Sequence, residues 1–237
     1  MPEVPLITTL GESERWWAER YEFLKGQGYM LRPRYRPGWK AKFSGLLEAD
    51  KFEDGQALAF ARIIDALRVS DSSMVAIKRV RDPLVEGRRT ISTKERIATS
   101  FSNDDHKSNP RNHCIPVLQV LHIPGIDDET LLVMPWMREP NDPNFRTIGE
   151  GLQFVREIFE GLQYMHENNV AHRDCSLNNM VMDAKAMYPD GFHPCKPSES
   201  YDWKKRARYF SRTRCPPRCY LIDFGFSEVY GPRSLDL

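Results

Sequence analysis

Asp174 and Asn179 stand five positions apart in the stretch AHRDCSLNNMVMD, and Asp223 follows in CYLIDFG. These residue types handle a proton and a hard cation. A carboxylate such as Asp174 can take the proton of an attacking hydroxyl. Asn179 and Asp223 offer the oxygen ligands that Mg²⁺ takes. Upstream, Val75-Ala76-Ile77-Lys78 puts an ammonium group on a run of strand formers. A strand fixes Lys78 to one face, where it is a compact charge for phosphate oxygens. Such a lysine needs a group to hold it, and Glu95 supplies a carboxylate in the next helical stretch. Each string alone also has a plain reading: a surface strand lysine, a solvated helix glutamate, a strand-ending turn. Together, in this order and each on a suitable element, they are hard to reach by chance.

The elements that must position these groups follow from periodicity. SERWWAERYEFLKG spaces Trp17, Tyr21 and Leu24 as one face of an amphipathic helix. YMLRPRYRPGWK, with three prolines and Gly38, predicts an extended connector. Residues 41–62 fit either a strand or a helix face. Runs at 66–69 and 74–80 flank the polar SDSS and predict a hairpin. A short helix is expected over 93–101, strands in PVLQVLHI and TLLVMPWM, and a long helix through Leu152, Val155, Ile158, Leu162 and Met165. That helix ends at ENN before Val170. Residues 185–218 lack periodicity and read as an insertion, after which CYLIDFG reads as a buried strand.

The chain has 237 residues, with 34 basic against 33 acidic side chains and a formal net charge of +1. That balance gives no general pull toward nucleic acid or anionic membranes. No run of about 18 apolar residues is present, so no membrane span is expected. The start, MPEVPLITTLGES, lacks the basic and apolar regions of a secretory signal. Five scattered cysteines suit a reducing compartment, and an intracellular location is the expectation.

With H-R-D-x-x-x-x-N at 172–179, V-A-I-K at 75–78 and D-F-G at 223–225, the sequence resembles the eukaryotic protein kinases from about Ala66 to Ser227. Within that family it is most similar to the expanded fungal kinase-like proteins, through RPRYRPGW, the Ser at 176 and a long insert before D-F-G. The resemblance implies an α+β, two-lobed fold: a β-rich small lobe with one helix at 66–137 and a helical large lobe, here incomplete, at 138–237. Residues 1–65 would form an extension, and an insertion would fill about 184–218. ATP and Mg²⁺ would be the cofactors and a protein hydroxyl, of Ser or Thr, the acceptor. Lys78 would hold the α- and β-phosphates and pair with Glu95, and Asp174 would be the catalytic base. Asn179 and Asp223 would bind the metal. Ala76 and Val181 would sandwich adenine, Met134 would be the gatekeeper, and backbone groups near Trp136 and Met137 would read the adenine edge. His172 and Phe224 would be packing elements, and Arg173 would meet an activation-loop phosphate. The insertion would lie behind the cleft, away from the reacting phosphate.

The pattern also departs from the family. No glycine-rich turn precedes VAIK, and Ser176 stands where a lysine would neutralise developing charge. After DFGFSEVYGPRSLDL there is no A-P-E, so the apolar face of the 152–165 helix is expected to be exposed or to meet a partner, unless the N-terminal helix covers it. These departures support a rival reading: a weak or inactive pseudokinase-type scaffold, or a gene fragment. His193, Cys195, Cys215 and Cys219 do not have standard zinc spacing and read as separate residues. WKKRARYFSRTR mixes cations with aromatics; on a near-neutral chain it suits a solvated loop or an acidic partner better than nucleic acid.

Overall fold

In the computed structural model, which describes residues 8–81, 84–85 and 88–231, the stretch read as one N-terminal helix folds as two. Helix α1 (Glu12–Ala18) ends and α2 (Tyr21–Gly26) begins across Arg20. The Arg20 guanidinium turns back to donate to the Trp16 carbonyl at 2.7 Å and lies over the Trp16 ring. The expected face survives the break, since Trp17, Tyr21 and Leu24 are all buried.

Contacts divide the chain into two compact units. The first holds the residues up to Arg79 together with Tyr188–Arg208, and the second holds Val80–Met187 with the residues from Tyr209 onward. This differs from a boundary at 137/138 and from a free-standing insertion. The physical reason for the second difference is that residues 193–203 carry partners for the first unit, described below.

In the first unit, β1 (Tyr29–Leu31), β2 (Ile63–Arg68) and β3 (Ser73–Arg81, whose last two residues fall in the second unit) run antiparallel in that order. Alternation sends Tyr29, Leu31, Ile64, Ala66, Val75 and Ile77 to one face, all buried. Burial on this scale contributes roughly 1.5–3 kcal/mol for each large aliphatic side chain. The connection from β1 to β2 is not merely extended. It contains a 3-10 turn at Pro33–Tyr35, a short helix α3 (Leu46–Ala49) and a second 3-10 turn at Glu53–Gly55. Gly55 is required there, because a Cβ would lie 2.1 Å from the Ala49 carbonyl oxygen.

The second unit begins with a small ribbon, β4 (Leu84–Val85) against β5 (Arg88–Arg89). Helix α4 (Thr93–Ser100) follows, with Ser92 capping it through a bond from the Glu95 amide. A one-turn helix α5 (Asp104–Lys107) leads to the hairpin of β6 (Gln119–His122) and β7 (Glu129–Pro135). Thr147 caps the long helix α6 (Ile148–Glu167). Two short ribbons complete the unit: β8 (Val170–Ala171) with β11 (Glu228–Val229), and β9 (Met180–Asp183) with β10 (Arg218–Leu221). Helix α6 lies along β10 and β8, and Gly161 lets it approach His113, whose Cβ would be 2.6 Å from an added Cβ.

Ile158, Tyr164 and Met165 of α6 are buried, whereas Leu152 and Phe159 are 64% and 67% exposed. The expected face is thus split: Leu152 and Val155 are exposed, Leu162 is half-buried, and Ile158 and Met165 are buried. The whole is a mixed α+β chain. Among the described residues no helix is long and apolar enough to cross a membrane.

Candidate active site

The loop after β8 is organised around His172, which is 1% exposed. Its Nδ1 accepts the Asp174 backbone N–H at 3.3 Å, which leaves Nε2 as the protonated nitrogen donating to the Ile222 carbonyl at 3.0 Å. Burial holds the imidazole below its usual pKa, against the opposing pull of the Ile222 bond and of Asp174 and Asp223. A neutral ring with this tautomer is what both bonds require. The ring also packs 5.5 Å from Phe224, and Ser227 Oγ donates to the His172 carbonyl at 3.0 Å. One histidine thus joins the 172–179 loop to the 223–227 turn.

Asn179 spends its side-chain N–H groups on Asp174, reaching the carboxylate at 2.6 Å and the carbonyl at 3.0 Å. That leaves Asn179 Oδ1 available as a ligand atom. The β9–β10 register continues one step, with Ile222 N–H donating to the Asn179 carbonyl at 2.9 Å, so Asp223 directly follows the residue opposite Asn179. Asp223 is exposed and its φ is 60°. Arg173 has φ 66° and pairs with Glu228. Two non-glycine residues in the left-handed region, flanking the same pair of chemical groups, are backbone strain of the kind that gathers at functional sites.

The second unit draws in further expected residues. Arg138 and Met182 exchange backbone bonds of 3.0 and 2.8 Å in an antiparallel bridge, which ties the segment after β7 to β9. Met134 is 8% exposed within β7, while Trp136, Met137 and Val181 are half-buried. Glu95 is buried on α4, and Thr130 Oγ1 donates to its carboxylate at 2.9 Å. Helix α4 also lies against the 224–226 turn. Ser176 and Cys175 are exposed at the mouth of the loop.

Asn179 Oδ1 and the Asp223 carboxylate are oxygen donors of the kind a magnesium–phosphate group would need. Mg²⁺ is commonly bound through one or two protein oxygens with phosphates and water completing the octahedron, and the Asn179–Asp223 pair supplies that many. Among the described residues no cluster of three or more His, Cys, Asp or Glu could hold a metal by itself. His193 and Cys195 are instead engaged with Glu53 and Arg32, and the Cys219 amide donates to Glu157 at 2.7 Å.

The first unit carries Ala76 and Lys78, both half-buried and both on the same face of β3. Their cross-strand partners on β2 are Asp65 and Ile63. Asp65 is buried and accepts two bonds from Arg32 Nε, at 2.9 and 3.1 Å. The Arg32 guanidinium also donates to the Gln56 carbonyl at 2.9 Å, to Tyr35 Oη at 3.2 Å and to Cys195 Sγ at 3.1 Å. Burial alone would lower the pKa of Arg32, but Asp65 together with Tyr35, Cys195 and Glu53 more than offsets it and raises the pKa, keeping the side chain charged. Burial would raise that of Glu53, while the His193 bond and Arg32 hold it below the ordinary range. Burial pushes the Cys195 thiol up to about 12, so it is an inert donor and acceptor here.

Two residues further on, Arg34 is 1% exposed and bonded to Glu14 at 2.7 Å. Of the three alternating arginines of RPRYR, Arg32 and Arg34 are therefore buried and paired while Arg36 is exposed, which a Pro-rich connector does not lead one to expect. One signal for this was present: Asp65 is the lone charge inside the strand run IIDAL. The partners contributed by 193–203 gave no such signal. No protein-family model matches the chain, and no curated protein matches it.

Proposed function

We propose that the chain is a protein-kinase-like domain that binds ATP with Mg²⁺ and directs the γ-phosphoryl group to a protein hydroxyl. The observation that supports this most is the triple link Asn179–Asp174, Ile222–Asn179 and His172–Ile222, which joins a carboxylate, an amide oxygen and a second carboxylate in one rigid set. Asp174 accepts the proton of the incoming hydroxyl, and Asn179 keeps its carboxylate oriented toward that hydroxyl. Asn179 Oδ1 and Asp223 hold the metal, which when bound neutralises charge on the phosphates. Lys78 contributes a cation for the α- and β-phosphates. Ser176 donates one neutral hydrogen bond where a cation would stabilise developing charge, so turnover is slow.

Calorimetry with ATP, with and without Mg²⁺, tests the binding half: weak, Mg²⁺-dependent binding that Asp223→Asn abolishes is expected. A melting curve unmoved by millimolar ATP–Mg²⁺ would sink it. Single-turnover γ-phosphate transfer to a mixed peptide library, with Asp174→Ala as blank, tests the catalytic half. A second reading, a scaffold that docks partners without transferring phosphate, is favoured by the charged Arg32–Asp65 pair beside Ala76. It predicts binding of neither nucleotide nor metal by intact protein.

A further inference from the structure

Across β2 and β3 the register pairs Asp65 with Ala76 and Ile63 with Lys78, and across β1 and β2 it pairs Met30 with Leu67. Directly opposed residues point to the same face of a sheet. One face of the hairpin therefore carries Lys78, Ala76, Met74, Asp65 and Leu67. By the proposed function this is the face that receives the nucleotide, with adenine beneath Ala76.

That face is already covered from within the first unit. Arg32 lies on Asp65, and Cys195 from the 188–208 segment reaches Arg32 Nη2 at 3.1 Å and Asp65 Oδ1 at 3.9 Å. His193, 1% exposed, bonds Glu53 at 3.2 Å and meets the Trp203 ring edge-on at 4.8 Å. The segment is fastened at its outer side by Trp203 Nε1 donating to the Lys51 carbonyl at 3.1 Å, and by Lys196 paired with Asp50. A cavity of about 290 Å³ on this face is bounded by Met30, Leu67, Met74, Arg32, Tyr201 and Trp203. Neither Ala76 nor Lys78 lines it.

We infer that residues 193–203 are a built-in cover of the nucleotide face, and that ATP–Mg²⁺ binds only the fraction of molecules in which this segment has lifted from Asp65 and Arg32. The inference rests on the nucleotide reading above and adds its regulation. Apparent affinity is then the intrinsic affinity reduced by the uncovered fraction, so loosening the cover tightens binding with no new contact to the ligand.

Lys196→Ala/Trp203→Ala frees the outer fastening without stranding a buried charge, and neither residue belongs to the phosphate or metal machinery. In the full chain this variant should bind ATP–Mg²⁺ about tenfold more tightly than wild type, a change set by the uncovered fraction. Hydrogen exchange on wild type needs no variant: saturating ATP–Mg²⁺ should accelerate exchange of the 193–203 amides. Equal affinity in both proteins, with exchange in 193–203 unchanged or slowed, would overturn the cover and leave the nucleotide reading standing. No binding by either protein would remove both.

Discussion

The Asn179 side-chain amide donates to the Asp174 carboxylate at 2.6 Å, and the same residue's carbonyl accepts from Ile222, next to Asp223. Asn179 therefore orients one carboxylate and is tied through Ile222 to the residue that carries another. Asn179→Ala removes both the orienting N–H groups and Oδ1. The expected outcome is loss of Mg²⁺-dependent ATP binding by more than tenfold, with a stability loss of only about 1 kcal/mol for the missing hydrogen bonds. Calorimetry and urea titration of the same preparation separate the two effects. Retained Mg²⁺ dependence in Asn179→Ala would show that this residue is not a metal ligand.

Arg32 and Asp65 form a pair in which both side chains are about 5% exposed or less. Removing one partner leaves the other charged and stripped of water. Asp65→Ala or Arg32→Ala should each cost about 3–5 kcal/mol in urea denaturation. The apolar double replacement Arg32→Met/Asp65→Leu should recover most of that loss, because both desolvation costs vanish together. If the double variant were as unstable as the sum of the singles, the two residues would be acting independently.

Stability should fall with acid in two stages. A histidine with a lowered folded pKa binds fewer protons than in the unfolded chain, so His172 contributes stability above the ordinary value of 6.5 that is lost as pH falls from there toward its folded value. Glu14 and Glu53 are also lowered, although burial opposes the shift in both, through Arg34 for the first and His193 with Arg32 for the second. Their contribution is present above the ordinary value of 4.5 and is lost as pH falls through their folded values. Urea midpoints should therefore be flat from pH 7 to 8, decline below about 6.5 and drop more steeply below about 4.5. His172→Gln should erase the first decline and keep the second. Persistence of the early decline in that variant would assign it to another group.

Local chemistry was legible from residue order alone. Trp17, Tyr21 and Leu24 recur at helical spacing, and all three are buried. Ser92 and Thr147 precede their helices with Glu three residues on, and both cap as that pattern demands. The bonds of His172 and Asn179 to Ile222 reach far along the chain and were set by the tertiary structure, whereas the Asn179–Asp174 bonds lie within one short turn. Spacing in the chain is nearly spacing in space for a helix or a turn, so there the pattern carries the structure.

The buried arginines and the contacts of 193–203 were decided at longer range. Arg32 meets Cys195 across 163 positions and Glu53 meets His193 across 140. Nothing in the periodicity near Arg32 or His193 distinguishes a solvated side chain from a buried, paired one, because that depends on what the rest of the fold brings against it. A charge is tolerated inside only where an opposite charge and hydrogen bonds arrive with it. The residue types were written in the sequence, and only the tertiary structure decided which of them would be taken out of water together.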